Sequence, residues 1–153
     1  MISKKTKYGL LALLALGRKY GASPVQIVDL SEQEGIPKKF LELILLQLKN
    51  AGILASRKGK GGGYFLAKDP AVVTMGQAIR ILEGPLAPIP CASETAYQKC
   101  EECDDEGTCG IRLVMKDVRN AIAGILDHTS IKDVLARSHE AAKAAKGVID
   151  FSI

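Results

Sequence analysis

The chain has 153 residues, enough for one compact domain with an appendage but not for a large multidomain enzyme. Hydrophobic residues make up 47% and charged residues 25%, which excludes a disordered or collagen-like chain. The longest purely apolar run, Leu10–Leu16, is too short to span a bilayer, and no charged-then-apolar leader precedes it. We therefore expect a cytoplasmic protein with no membrane partner.

The net charge of +4 is divided unevenly along the chain. Residues 1–70 hold 12 lysines and arginines against 5 acidic residues, whereas residues 71–153 hold 9 against 12. A basic first half suggests a module that binds a polyanion, joined to a part with another role. The alternative is an uneven surface charge without functional meaning.

Three helices and a hairpin are predicted in the basic half. Apolar periodicity predicts helices over Lys4–Tyr20, Val25–Glu34 and about Pro37–Asn50, with Gly35 ending the second. Two short apolar runs then flank a basic, glycine-rich turn, which is typical of a β-hairpin. This order is that of a winged helix-turn-helix, in which the third helix reads DNA.

The third helix divides into two faces at about 100° per residue. The face expected to pack on the other helices carries Phe40, Leu41, Ile44, Leu45 and Leu48. The opposite face carries Lys38, Lys39, Glu42, Leu43, Leu46, Lys49 and Asn50. Leu43 and Leu46 are unexpected there. One explanation is that they touch thymine methyl groups. The explanation we prefer is that the helix is more buried than this division implies.

DNA contacts are predicted from this helix and from the hairpin tip. Lysines near the start of a major-groove helix meet phosphates and base edges. At the tip, basic side chains supply charge and glycines let the backbone approach a sugar–phosphate strand, although a solvated basic turn is the alternative. The predicted contact residues are Lys38, Lys39, Phe40, Glu42, Arg57, Lys58, Lys60 and Gly62.

The second half contains a short helix, a long loop and two further helices. Thr74 is expected to cap a helix that runs to about Leu82. The stretch from Gly84 to Gly110 has no periodicity and is predicted to be a functional or disordered loop. An alanine-rich helix is predicted over Ile131–Lys146. The helix predicted between the loop and this last helix carries an apolar seam with three–four spacing, formed by Ile111, Val114, Val118, Ala121 and Ile125.

All four cysteines lie in the loop, with the spacing Cys91-x8-Cys100-x2-Cys103-x5-Cys109. Thiolates are soft ligands suited to an iron–sulfur cluster, zinc or copper(I). Zinc is a competitor because Cys-x2-Cys is a common half of a zinc site, but a second such half is missing. A thiol switch is the third interpretation. This stretch has six acidic residues and one lysine, and its negative charge is expected to raise the pKa values of the thiols. The same charge opposes DNA binding, so the loop is expected to point away from a duplex.

Several stretches together match a known pattern. They are Lys7–Leu10, Gly35–Glu42, Leu48–Leu54 and Arg57–Leu66, the last with Gly61-Gly62-Gly63-Tyr64. With the cysteine loop and the long helix after it, the chain resembles the winged-helix transcriptional regulators typified by IscR, NsrR, RirA and CymR. The resemblance covers nearly the whole chain.

The resemblance implies a fold that is mainly α with a small β-hairpin, a winged helix-turn-helix joined to a long dimerisation helix starting near Gly110. The corresponding regions are a DNA-binding domain over 1–83, a cysteine-bearing sensor loop over 84–110, and the dimerisation and C-terminal helices over 111–153. It also implies a homodimer that binds roughly palindromic promoter DNA, one half-site per subunit. In cysteine-bearing members it implies an iron–sulfur cluster, 2Fe–2S favoured and 4Fe–4S as the other form.

The family's three cysteines map best to Cys91, Cys103 and Cys109. IscR-like members supply a histidine three residues after the last cysteine, where this chain has Arg112, and NsrR-like members supply an aspartate where it has Lys7. We therefore hypothesise that Cys100 is the fourth ligand. The alternative is that Cys100 ligates in place of Cys103.

The leading interpretation is a regulator whose promoter binding is modulated by the cluster, which would order the loop against the dimerisation helix. A structural zinc ion or a thiol-redox switch in the same loop is the alternative. We expect no enzymatic activity, because no Ser–His–Asp or Cys–His arrangement is suggested.

Overall fold

The computed structural model describes residues 2–150, with side chains described for residues 2–147. Within this range the chain forms six α-helices and one antiparallel hairpin. The elements are α1 Lys4–Arg18, α2 Ile27–Glu34, α3 Lys38–Asn50, β1 Leu54–Arg57, β2 Gly63–Leu66, α4 Met75–Leu82, α5 Gly110–Leu126 and α6 Ile131–Asp150. The expectation of a mainly α protein with a small hairpin is confirmed.

The core lies where α1, α3 and α4 meet, with α2 and the hairpin closing its sides. Its largest fully buried side chains are Leu13, Leu16, Leu30, Ile36, Leu41, Ile44, Leu45, Leu48 and Ile53. Two helical glycines let the packing be close. A Cβ on Gly9 would lie 2.3 Å from a methyl group of Leu82, and one on Gly17 would lie 2.8 Å from Ile131.

Helix boundaries follow local capping chemistry. Ser3 begins α1 by accepting a hydrogen bond from the Thr6 backbone N–H, and Thr74 begins α4 in the same way. Gly35 ends α2 with a left-handed φ of +64°. Pro37 precedes α3 as its cap rather than serving as its first residue, and α1 ends at Arg18, two residues before the predicted end.

Val25 departs from its prediction. Instead of starting α2, it forms a β-bridge with Tyr64: the Val25 N–H donates to the Tyr64 carbonyl (2.9 Å) and the Tyr64 N–H to the Val25 carbonyl (2.8 Å). Gly63 permits this approach, because a Cβ there would lie 2.3 Å from the Val25 carbonyl oxygen. The hairpin is therefore anchored to the segment before α2.

The last two helices differ in how they meet the rest of the molecule. The connection between them is bound on both sides: the Ile131 N–H donates to the Val73 carbonyl, and the Met75 N–H to the Thr129 carbonyl, each over 2.9 Å. Ile131 is fully buried against α1, whereas residues 136–147 of α6 are exposed. In α5 only Arg119 is buried.

The stretch 84–110 is a loop, as predicted, with one short 3₁₀ turn at Pro90–Ala92 that packs on α5. Across the part of the chain that the structure describes, no helix combines the length and the apolar character needed to cross a membrane.

Candidate nucleic-acid interface and cysteine loop

The faces of α3 are arranged largely as predicted. Leu41, Ile44, Leu45 and Leu48 have no exposed surface, and the lysines at both ends of the helix are exposed. This follows from the packing of α3, because α1, α2, α4 and β1 all contact its apolar side.

Phe40 differs from its predicted place in α3, whereas Leu43 and Leu46 lie on the outward face to which the helical spacing assigned them. Phe40 is 41% exposed and meets the Tyr8 ring edge-on, with the centroids 5.4 Å apart, so it borders the core rather than filling it. Leu43 and Leu46 are each 50% exposed, so the preferred explanation that the helix is more buried is wrong. They are exposed because the core packs against the opposite side of α3, where Leu41, Ile44, Leu45 and Leu48 are fully buried.

The hairpin presents its positive charge at the tip. Arg57 pairs with Gly63 at the end of the two strands, and Lys58 and Lys60 lie in the exposed turn. The Arg57 guanidinium also lies 5.8 Å from the centre of the Phe65 ring, which holds it against the hairpin.

Gly62, predicted to contact DNA, is buried in the turn. Its N–H donates to the Gly59 carbonyl (3.0 Å), and a Cβ there would lie 2.2 Å from the Arg57 carbonyl oxygen. The structure thus shows Gly62 closing the turn that carries Arg57, Lys58 and Lys60.

Direct hydrogen bonds fix α3 relative to its neighbours. The Lys49 ammonium donates to the Ser56 hydroxyl of β1 over 2.7 Å. On the other side, the Lys5 ammonium of α1 donates to the Gln47 amide oxygen over 3.1 Å. The two hydrogen bonds therefore join α3 to the first strand of the hairpin and to α1.

The cysteine loop places its four thiols in two groups. Cys91 is buried in the 3₁₀ turn, and its backbone carbonyl accepts a hydrogen bond from the Arg112 guanidinium (2.9 Å). Cys103 lies near enough to Cys109 and Cys100 for both to influence its titration. Burial raises the pKa of the Cys103 thiol most, and the neighbouring Cys109 raises it further.

This arrangement does not form a metal site. Among residues 2–147, no three histidine, cysteine or acidic side chains converge where they could hold an ion. The soft thiol donors suit iron–sulfur or zinc chemistry, but their positions do not fit either group in this conformation. Arg112, at the position where IscR-like members carry a histidine, instead binds the backbone of Cys91.

Charged side chains connect the loop to α5 and α4. Glu94 of the loop forms an ion pair with Arg119, which is only 9% exposed. Nearby, Arg80 of α4 makes two hydrogen bonds to Asp127 at the end of α5, over 2.5 and 2.9 Å.

The two ion pairs influence each other. The Arg80 hydrogen bond lowers the pKa of Asp127, and the charge of Arg119 adds to the effect. The Asp127 hydrogen bond raises the pKa of Arg80, with a smaller contribution from Glu94. We call Glu94, Arg119, Arg80 and Asp127 the charge network.

Glu83 connects the end of α4 to the start of α1. Its carboxylate accepts hydrogen bonds from the Ser3 N–H (2.9 Å), the Ser3 hydroxyl (2.6 Å) and the Thr6 hydroxyl (2.5 Å). The Ser3 hydroxyl above all lowers the Glu83 pKa to about 2. Glu83 is thus fixed to α1 immediately before the cysteine loop begins.

The sequence interpretation missed these connecting residues. For Arg119 a signal existed: Arg112 and Arg119 are seven residues apart, hence on one face of α5, away from the apolar seam. For Glu83, Arg80 and Asp127 no local pattern points to the partner, because their contacts join residues 47 or more positions apart.

Comparison with known proteins identifies the family. The profile of the Rrf2 family, described as an iron-dependent transcriptional regulator, matches residues 2–137. A putative HTH-type transcriptional regulator, rrf2-like, from Rhodobacter capsulatus is 42% identical over 146 residues, covering 94% of this chain and 97% of the relative.

Solved structures agree. CymR, the global cysteine regulator of B. subtilis, superposes with a TM-score of 0.75 at 31% identity, over 90% of this chain and 97% of that one. T. potens IscR superposes with a TM-score of 0.73 at 28% identity, over 92% of this chain and 90% of that one. The chain belongs to the Rrf2 family and is a transcriptional regulator with a winged helix-turn-helix fold, not an enzyme.

Proposed function

We propose that this regulator is a homodimer that binds promoter DNA through α3 and the hairpin, and that the state of its cysteine loop modulates this binding. The carrying observation is the Lys49–Ser56 hydrogen bond, which holds the exposed face of α3 beside the basic hairpin tip. A major-groove helix with a basic turn beside it matches the width and charge of duplex DNA.

The individual contacts follow from charge and position. Lys38 and Lys39, at the start of α3, and Arg57, Lys58 and Lys60, at the hairpin tip, bind phosphates. Glu42 lies one turn into α3 and accepts a hydrogen bond from a cytosine amino group. Gly62 acts by holding the tip in shape.

The homodimer is supported by the apolar seam of α5. Its residues Ile111, Val114, Val118 and Ile125 are between 39% and 69% exposed in the single chain. An apolar stripe of about two heptads is suited to pairing with a second α5. A dimer then presents two copies of α3 to two half-sites.

For the cysteine loop we propose an iron–sulfur cluster, 2Fe–2S, held by Cys91, Cys103 and Cys109 with Cys100 as the fourth ligand. The soft donor set and the family's description as iron-dependent support this. Binding requires the loop to bring the four thiols together, so it would move the segment that Arg112 and Arg119 attach to α5.

A thiol-redox switch is the second candidate, favoured by the proximity of Cys103 to Cys109. Their two thiols would form one disulfide, releasing two protons and two electrons that reduce a peroxide to water and its alcohol. The likeness to CymR, named a global cysteine regulator, supports chemistry at cysteine without requiring a metal. A structural zinc ion held by the same loop is the third candidate to test.

The DNA-binding proposal is tested by salt-dependent anisotropy on a duplex that the protein selects from a random library. For Arg57→Gln and Lys60→Gln we expect weaker binding and a log–log salt slope shallower by about one per lost phosphate contact. Lys146→Gln, with the same charge change on exposed α6, is the matched control. If both hairpin variants kept the salt slope of wild type, the hairpin would not contact the DNA phosphates.

The loop proposal is tested by anaerobic purification. Brown protein containing iron and sulfide, with a loss of both in Cys91→Ser, supports a cluster. Colourless protein with stoichiometric zinc, or a Cys103–Cys109 disulfide formed by peroxide and found by peptide mass analysis, supports an alternative. Equal operator affinity in every loop state would contradict modulation.

A further inference from the structure

We infer that Leu43 and Leu46 are specificity-determining residues that select thymine methyl groups in the major groove. The inference rests on the proposed DNA binding and goes beyond it, because it says which base the outward face of α3 prefers and why. It starts from the finding that both leucines are half exposed.

The two leucines lie at the centre of the outward face. Lys39, Leu43, Leu46 and Asn50 are spaced i, i+4, i+7 and i+11, so they form one stripe opposite the buried leucines. All four are exposed. An approach that brings this face into a groove therefore directs the leucine side chains, which lie at the middle of the stripe, toward the base edges, whereas the long lysine side chains can extend to the phosphates.

The charge around the stripe favours a nucleic acid over a second copy of the same surface. Lys39 belongs to the stripe and Lys38 and Lys49 lie beside it on α3, with Glu42 as the one acidic residue of the helix. The hairpin adds the further positive charge of Arg57, Lys58 and Lys60. Two such faces would repel each other, and an apolar surface for self-association already exists on α5.

The chemistry of the major groove then identifies what the leucines contact. Among the four bases, only thymine presents an apolar group there, its 5-methyl. Isobutyl side chains cannot hydrogen-bond base edges, so a leucine against any other base leaves polar atoms without partners. The leucine pair therefore favours thymine, whereas the adjacent lysines contribute affinity without choosing a sequence.

The experiment replaces thymine by deoxyuridine, which removes the methyl group and keeps every hydrogen-bonding group. The probe is the duplex selected by wild-type protein from a random library, substituted one thymine at a time. We expect at least one position per half-site at which wild-type binding falls about four-fold, the ratio that burying one methyl group gives.

The variants Leu43→Ala and Leu46→Ala complete a double-mutant cycle. At a matching position, the alanine variant should bind the thymine and deoxyuridine duplexes equally. Arg57→Gln is the control: it weakens both duplexes alike and keeps their ratio. Thermal unfolding checks that the alanine variants fold, which we expect because both leucines are exposed. The deoxyuridine series with wild-type protein needs no variant and does not depend on this check.

The outcomes separate this inference from the proposed function. Preference for the selected duplex over a scrambled one, with equal binding of thymine and deoxyuridine everywhere, overturns the inference alone. A deoxyuridine effect that persists in both alanine variants also overturns it. So does an alanine variant whose oligomeric state changes while its ratio of thymine-duplex to deoxyuridine-duplex affinity stays that of wild type. Failure to bind any duplex in a salt-dependent way overturns both.

Discussion

Individual side chains join helices that are distant in the sequence, and Glu83, which connects the end of α4 to the start of α1, is a clear case. Its carboxylate accepts three hydrogen bonds from Ser3 and Thr6, at the N-terminus of α1, where a negative charge is also favoured by the helix dipole. A group whose folded-state pKa is lowered stabilises the fold above its unfolded-state value and loses that contribution on acidification.

Replacement of Glu83 by glutamine should therefore destabilise the protein near neutral pH. The difference from wild type should persist down to about the ordinary pKa of 4.5 and shrink as the pH falls toward the folded-state value of about 2. Urea unfolding at several pH values measures it, with the exposed Glu101→Gln as the control. A difference independent of pH would show that the carboxylate charge is not responsible.

Gly63 has a comparable role in the hairpin. Its φ of +141° is unfavourable for other residues, and a Cβ would meet the Val25 carbonyl. We expect Gly63→Ala to cost about 1–3 kcal/mol and to break the Val25–Tyr64 bridge. Gly61→Ala is the matched comparison, because Gly61 also has a positive φ but open space around it. Urea unfolding with amide exchange at Tyr64 tests this, and equal losses in the two variants would contradict it.

At the scale of elements, the Glu94–Arg119 pair is the main polar link between the loop and α5 within the described residues. Arg119→Met keeps the buried hydrocarbon stem and removes the charge. We expect faster hydrogen exchange over residues 91–100, with the core helices unchanged, measured by mass spectrometry. Arg137→Met on exposed α6 is the control. Unaltered exchange in the loop would mean that the Glu94–Arg119 pair does not hold it, and that the packing of the 3₁₀ turn and the Arg112–Cys91 hydrogen bond suffice.

Elements with local signals were predictable from the sequence. Thr74 as a cap, Gly35 as a helix end and the glycine-rich hairpin turn depend on residues a few positions apart, and each is where it was predicted. The apolar seam of α5 was equally visible, because one helix contains the whole pattern.

Features that depend on distant contacts were not predictable. Val25 lies outside α2 because Tyr64 offers its backbone a partner, and Leu43 is exposed because the core packs on the opposite side of α3. The pairing of Glu94 with Arg119 joins a loop to a helix 25 positions later. Periodicity states which residues share a face, but not what covers that face.

For the whole molecule, the exposed seam of α5 predicts that function requires two chains. Val118→Lys places a charge in the middle of the seam and should yield a monomer by light scattering. Affinity for a two-half-site duplex should fall about 100-fold or more, because the second half-site is no longer linked to the first.

Ala142→Lys, which adds the same side chain on exposed α6, is the control for that experiment. A Val118→Lys protein that stays dimeric, with unchanged operator affinity, would place the dimer contact elsewhere.

The connection between α5 and α6, bound on both sides to Val73 and Met75, has a mechanical consequence. The 17 residues of α5 span about 25 Å between this connection and Cys109. A shift of about 2 Å at the cysteine end would turn a rigid helix of this length by about 5°. In the proposed dimer, that rotation would change the separation of the two α3 helices, and with it the half-site spacing that the protein fits.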